Sequence, residues 1–496
     1  MPPFNPPSED FPSILKGKRI LLTTESLGPV NGVSRTTGKL IEYLRRNGVD
    51  LVVVAPDFAG ASSSSSSSSP PPSEQQTLRL PGYPLPYNPD LSLVYPFHLV
   101  NDIFMPTFQP DLIYIASPAS LGFQVLLQLR QLHHPPPTLL NFQTDLSSYS
   151  EIIFPPFLAN FAVWLLATVQ GYLFTHPAIH TIFYPCSAVL TYLQTTHTPL
   201  SRTYRLGRGV DTTLFHPSHR APSLRQSLAP NGETILLTVC RLAPEKGFEF
   251  LAATITALLT TTTTTTTTNS KPPPFKLIIV GGNPNPTVTS RIQTLFSTPI
   301  LKDHVIFLGF LTGIDLARAY ASADVFLHCS ITETFGLVVL EAMASGLPVI
   351  ARDQGGPSDI VRNQETGYLV PPGEVEVFAG LVGEVVRDER LRAKLGVGAR
   401  QYAEEMTWEK IHRRVAGRMA EAVERSVVER EGEVGSETAL LEGRGVSIGE
   451  RIRLGLAVGV VYAMWVVAVV PLIVHGQRMV PRLLRRIPLL GRLIPA

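Results

Sequence analysis

Three cysteines in 496 residues, Cys186, Cys240 and Cys329, are odd in number and far apart. They supply neither a disulfide framework nor a metal-ligand spacing, which fits a reducing compartment. Two of them stand in or beside apolar, strand-like runs, where a thiol is buried and inert. A dominant charge is lacking too. The net charge is +2, but the last 22 residues hold five Arg and no acid, so residues 1–474 carry −3. Bulk attraction to nucleic acid is not expected from such a balance. The opening Met1–Asp10 is rich in proline and has no apolar core, so it does not read as a signal peptide.

What is present is length and apolar pattern. A chain of 496 residues exceeds one ordinary core, so two or three domains are expected. After a disordered leader over 1–15, Lys18–Thr23 reads as a strand, Thr36–Arg46 has helical spacing, and Val49–Ala55 reads as a second strand. This strand–helix–strand order is a Rossmann-like opening. A second such unit starts at Thr234–Cys240 and continues through Phe275–Val280, Val305–Leu308, Asp324–His328 and Pro348–Ala351. Strands alternating with helices, twice over, predict an α/β chain of two facing, doubly wound domains, 16–205 and 206–405. Ser/Pro-rich 62–72 and Thr/Pro-rich 260–274 have compositions that build no core and read as surface insertions.

The segment Glu333-Thr-Phe-Gly-Leu-Val-Val-Leu-Glu341 carries the strongest chemical signal. Glu333 falls in a loop after a strand. Glu341 falls within a helix, about 7.5 Å along the axis from Gly336 at ~1.5 Å per residue. Gly346 and Pro348 mark the end of that helix. Two carboxylates at the carboxyl edge of a parallel sheet can grip a polyhydroxylated ligand, and the helix start offers N–H groups to a phosphate.

This segment resembles the nucleotide-sugar site of the family-4 retaining glycosyltransferases, which have the two-domain GT-B fold. The likeness extends over about residues 18–425. It includes the interdomain segment Leu206–Asp211 with Phe215 and Pro217, and Thr407-Trp408 before a crossover helix in 406–450. Within the family the pattern is most similar to α-mannosyltransferases and sulfoquinovosyl-type glycolipid synthases. The resemblance implies that Glu333 contacts hydroxyls of the donor sugar and Glu341 the nucleotide ribose, with Phe335, Gly336 and Leu337 in the same donor-binding stretch. It implies that Arg241 and Lys246, in Cys240-Arg-Leu-Ala-Pro-Glu-Lys-Gly247, grip the leaving diphosphate. Gly281 and Gly282 either keep the backbone close to the nucleotide or form a plain turn. Gly32 either lets N–H groups approach the donor or belongs to a simple β–α turn.

Asn141-Phe-Gln-Thr-Asp145 departs from the family. Many members carry His where this chain has Gln143, and Gln cannot titrate near neutral pH. That suits a reaction on one face of the sugar, in which the donor phosphate takes the acceptor proton. Asp145 either orients the acceptor or caps a helix. No metal and no cofactor are expected beyond the nucleotide-sugar donor.

Leu454–Val474 is an uncharged run of 21 residues, enough for about 31 Å of helix against a ~30 Å hydrocarbon core. Arg478, Arg482, Arg485, Arg486 and Arg492 follow it among apolar residues, as at an anionic lipid surface. Residues 451–496 are therefore expected to hold a membrane helix or interfacial anchor, with the catalytic domains cytosolic. The anchor and the apolar stretch Phe157–Ala167 suggest a lipid or glycolipid acceptor. Rival readings are a nucleotide-sugar epimerase of the same fold and a catalytically silent, membrane-tethered partner of a transferase.

Overall fold

The computed structural model describes residues 10–28, 32–57, 77–85, 88–95, 108–132, 134–143, 156–260, 274–283, 285–331, 333–434, 449–463 and 465. The chain forms two compact units. Met1–Tyr184, Val189–Leu206 and His412–Ala496 make up the first, and Pro185–Ala188 with Gly207–Ile411 the second.

The first unit is built on strands β1 (Arg19–Thr24), β2 (Asp50–Pro56), β3 (Thr77–Leu80), β6 (Leu112–Ala116), β7 (Thr138–Asn141), β8 (Ile179–Tyr184) and β9 (Thr203–Arg205). They pair in parallel in the order β3-β2-β1-β6-β7-β8-β9, with a separate antiparallel hairpin of β4 (Gly82–Leu85) and β5 (Asn88–Val94). Every residue of β6 and of β7 is buried, as a parallel sheet covered on both faces requires. Helix α1 (Gly32–Arg46) follows β1 and buries Thr37, Leu40, Ile41 and Leu44, a stripe of helical period. It begins four residues before Thr36, because the first turns of its buried face carry Ser34 and Thr36, which hide the apolar period. Arg45 and Arg46 complement its C-terminal dipole, and Gly48, at φ 80°, turns the chain out.

The second unit holds β10 (Thr234–Val239), β11 (Phe275–Val280), β12 (Val305–Gly309), β13 (Val325–His328), β14 (Val349–Arg352) and β15 (Gly367–Val370), all parallel, in the order β12-β11-β10-β13-β14-β15. Alternate residues face opposite layers. Ile235, Leu237, Val239 and Phe326 join one buried cluster, while Leu236, Leu277, Ile279 and Leu327 join the other. The strand order reverses between β10 and β13, and in the first unit between β1 and β6. Ligands of doubly wound sheets bind at the carboxyl ends of strands at such a switch point.

Helix α4 (Phe248–Thr260) follows β10, and helix α7 (Trp408–Val434) has its first turn in the second unit and the remainder in the first. The expected insertion 62–72 lies outside the described residues, as does 260–274 apart from Thr260 and Pro274. The expected membrane helix is only partly described: residues 449–463 are helical, while 466–474 lie outside. Among the described residues no helix is long and apolar enough to cross a membrane. Residues 449–463 instead behave as a docked helix. Ala457 and Val461, four apart on one face, are buried, whereas Ile452, Leu456 and Tyr462 are exposed. Glu450 reaches Arg130 at 3.6 Å, and the Trp465 ring lies 5.5 Å from that of Tyr95, so this face is held by the first unit itself.

Candidate active site

The carboxyl ends of β10 and β13 bring the second unit's charged residues together. β10 runs into a short turn, Pro244–Lys246, closed by Gly247 in the left-handed region at φ 72°. A Cβ on Gly247 would stand 2.0 Å from the Cys329 carbonyl oxygen, so only glycine lets this turn lie against the end of β13. The Ile331 amide donates to the Glu245 carbonyl at 2.9 Å, joining the two loops.

Lys246 is thereby aimed at the loop after β13. Its Nζ donates to Glu333 Oε2 at 3.0 Å and to Ser330 Oγ at 3.3 Å. Burial alone raises the Glu333 carboxyl, but the charge and hydrogen bond of Lys246, with Arg241 adding, hold the group below its ordinary value. Lys246 is held above its own: burial lowers it, and Glu333 more than restores it. The pair is ionised. His328, at the end of β13, places Nε2 3.9 Å from Glu333 Oε2. Burial, with Lys246 adding, pushes its imidazole down to about 4 against the pull of Glu333, so at neutral pH it is a neutral neighbour rather than a second cation. His328 was legible in the sequence only as the end of a strand.

Arg241 lies differently. Its side chain is 61 % exposed and pairs with Glu245 at 3.4 Å. It is an exposed cation at the rim of the same strand end, while Lys246 is a mostly buried one.

Glu333 and Phe335 rest on a glycine pair that the sequence reading passed over. Gly356 N donates to the Glu333 carbonyl at 2.7 Å. A Cβ on Gly355 would come within 2.3 Å of that carbonyl, and one on Gly356 within 2.1 Å of the Phe335 carbonyl. The signal was there, as Gly-Gly-Pro after the strand β14. Phe335, expected among the donor-binding residues, has its ring 6 % exposed and within the hydrophobic core, so what it offers a ligand is backbone. Gly336 follows at φ 98° as the residue preceding helix α6 (Leu337–Ala344), and Leu337 opens that helix half-buried against the core. Glu341 lies on α6 and is 3 % exposed. Its Oε2 accepts from the Tyr320 hydroxyl at 3.1 Å. Tyr320 belongs to helix α5 (Gly313–Ser322).

Gly281 and Gly282, expected alike, prove unlike. Gly281 sits at φ 143°, and a Cβ there would meet the Cys240 carbonyl oxygen at 1.8 Å, so it is needed for the close approach of the β10 and β11 ends. A Cβ on Gly282 would make ordinary contact with Phe310 at 3.6 Å. Burial pushes the Cys240 thiol up to about 12 and Cys329 also upward, which makes both poor nucleophiles.

In the first unit Gly32 is exposed and opens α1, while Pro29–Asn31 lie outside the described residues, as do Thr332 and Asp145. Gln143 follows β7, is 6 % exposed, and its Nε2 lies 3.4 Å from Thr37 Oγ1 on α1. Its Oε1 has no hydrogen-bond partner among the described residues. A second carboxylate went unnoticed in the sequence. Glu25, just after β1, accepts from the amides of Ala119 and Gly122 at 3.1 and 2.9 Å, at the start of helix α2 (Ser120–Leu129). Burial pushes its carboxyl up to about 7 although these amides pull it down. Among the described residues no group of three His, Cys, Asp or Glu could hold a metal ion.

Two parallel sheets with charged residues at their switch points suit a nucleotide ligand, and comparison with known proteins gives the class, a nucleotide-sugar transferase. Residues 30–214 match the family described as Glycosyltransferase Family 4, and residues 220–402 that described as Glycosyl transferases group 1. The chain belongs to the family-4 glycosyltransferases and is a nucleotide-sugar hexosyltransferase. It is 35 % identical over 366 residues to a GDP-mannose-dependent alpha-mannosyltransferase of Mycobacterium tuberculosis, covering 73 % of this chain and 85 % of the relative. It is 29 % identical over 420 residues to the sulfoquinovosyl transferase SQD2 of Arabidopsis thaliana, covering 81 % and 73 % respectively. The fold is shared with Anabaena Alr3699/HepE in complex with UDP, at TM-score 0.62 and 20 % identity over 81 % of this chain and 100 % of that one.

Proposed function

We propose that the protein transfers a mannosyl group from GDP-mannose, with retention of configuration, to a lipid or glycolipid hydroxyl. The observation that carries this reading is the Lys246–Glu333 ion pair at the switch point of the second sheet. It presents a fixed cation for the leaving diphosphate beside a carboxylate for the sugar hydroxyls. The donor is taken from the GDP-mannose-dependent relatives. A sulfoquinovosyl donor is the second reading, favoured by the likeness to the Arabidopsis enzyme over 81 % of this chain.

Negative charge develops on the leaving diphosphate oxygen, and preorganised cations stabilise it most where water is excluded. Lys246 is mostly buried and Arg241 is long and exposed, so Lys246 sets the position and Arg241 closes over the phosphates from the rim. These two cations do the work for which other transferases recruit a divalent metal. Glu333 accepts from the sugar hydroxyls, Glu341 from the ribose, and the amides at the start of α6 meet the donor's charge. Gln143 is a neutral hydrogen-bonding group for the reacting sugar, and the donor phosphate oxygen takes the acceptor's proton.

The lipid acceptor is supported by the uncharged run 454–474 with its five following Arg and by Phe161 and Trp164, which stand 57 % and 60 % exposed on helix α3 (Pro156–Phe174). With it goes a location at a membrane surface, the catalytic domains on the cytosolic side. The test is nucleotide release by the full chain from a panel of UDP- and GDP-sugars, with and without extracted membrane lipids and with EDTA. GDP release from GDP-mannose that rises with lipid and persists in EDTA is expected. Release only from another donor, or only with added metal, overturns the respective part of the reading.

A further inference from the structure

Tyr320 lies 0 % exposed between aromatic neighbours. The Phe215 ring stands edge-on at 5.6 Å and 88°, and the Phe326 ring of β13 is tilted at 5.8 Å. Such packing fixes the ring plane, so the phenol oxygen has a set position rather than a range of them. That oxygen lies 3.1 Å from Glu341 Oε2, across 21 residues of sequence and between two helices, α5 and α6. Glu341 is itself 3 % exposed on an eight-residue helix otherwise lined with apolar and small side chains. A buried tyrosine hydroxyl needs a partner, and many would serve; here the partner is the carboxylate assigned to the donor's ribose.

We propose that Tyr320 is a positioning residue for the donor nucleotide. Its hydroxyl holds the Glu341 carboxylate in the rotation that receives the ribose hydroxyls. This rests on the reading of Glu341 as the ribose contact. Two vicinal hydroxyls donating to a carboxylate need its plane set in advance. A hydrogen bond from a rigid phenol sets it without adding a charge, so the carboxylate remains an acceptor. With that bond removed, the carboxylate loses a fixed donor on Oε2, and the nucleotide must supply more of its ordering on binding. A phenol that merely satisfied its own burial would affect all nucleotides alike. A positioning phenol affects only those with ribose hydroxyls.

The experiment is titration calorimetry of GDP and 2′,3′-dideoxy-GDP against the full chain, Tyr320→Phe, Glu341→Gln and the double variant. Wild type is expected to favour GDP about tenfold or more, the effect of hydrogen bonds to a charged group. Tyr320→Phe is expected to remove most of that preference while leaving the dideoxy Kd unchanged, and to add nothing to Glu341→Gln. The ring that fills the core is retained in Tyr320→Phe, and any misfolded fraction lowers the number of sites rather than the ratio of affinities. A Tyr320→Phe ratio equal to wild type, or an equal loss for both nucleotides, overturns the positioning role and leaves Glu341 in place. A wild type that does not tell the two nucleotides apart overturns the Glu341 reading and this inference with it.

Discussion

Lys246 Nζ lies 3.0 Å from Glu333 Oε2, and the two side chains are 13 % and 22 % exposed, so each charge depends on the other to remain buried. Removing one partner of such a pair strands the other, which costs more than the loss of an exposed charge. Lys246→Ala is therefore expected to destabilise the fold by about 1–3 kcal/mol. Arg241→Ala should stay within about 0.5 kcal/mol, because its contact with Glu245 is exposed. Both should lower turnover at saturating donor, by the ~2.7–4 kcal/mol that follows loss of a donor to developing charge. Urea melts and steady-state kinetics on the two variants check this; turnover near wild type in both removes the diphosphate grip from these residues.

Glu25 gives the first unit a pH dependence of its own. Its folded value of about 7 stands above the ordinary 4.5. The folded state thus holds the proton more tightly, and the stability this confers is full below 4.5 and lost as pH rises through 7. For a partly exposed group the change is roughly 2 kcal/mol. Wild type should melt at a lower temperature at pH 8 than at pH 5.5 by several degrees more than Glu25→Gln does. Parallel curves for the two proteins would show that the carboxyl does not titrate there.

The paired glycines after β11 separate by sterics. Gly281→Ala drives a methyl into the Cys240 carbonyl and should cost at least about 2 kcal/mol, along with donor binding at the neighbouring Arg241. Gly282→Ala meets only the Phe310 side chain at ordinary distance and should melt within a few degrees of wild type. Thermal melts of the two variants decide it, and equal melting temperatures would contradict the geometry.

The strands that were legible are runs of apolar residues closed by glycine, proline or charge: Phe275–Val280 was bounded to the residue and Lys18–Thr23 to within one, whereas β3 to β9 and β15 went unread. The Glu333 loop and the Glu341 helix were legible from Gly336 and Gly346, whose positive φ values of 98° and 81° end what lies before them. What was not legible depends on partners far along the chain. Glu25 acquires its meaning from amides 94 and 97 residues away, Tyr320 from a carboxylate 21 residues on, and Gly355 and Gly356 from carbonyls of another loop. No local pattern encodes such contacts. Apolar composition alone did not show at 454–463 that Ala457 and Val461 are buried on the first unit, since that docking depends on Arg130 and Tyr95, far away in sequence.

Gln143 offers a test of how the reacting sugar is held. Its amide reaches Thr37 at 3.4 Å, a contact an imidazole can also make, so Gln143→His should fold and keep activity within about an order of magnitude. The wild-type profile of kcat/KM against pH should show no limb that the variant introduces. Abolished activity in a folded Gln143→His would mean that the amide itself is required.

The central claim is a retaining transfer from a donor held at the Lys246–Glu333 pair. It is tested most directly by the anomeric configuration of the first-formed product from GDP-mannose, read by NMR from the one-bond coupling at the sugar's C1. The account predicts an α-linked product, matching the α configuration of the donor. A β-linked product would contradict it.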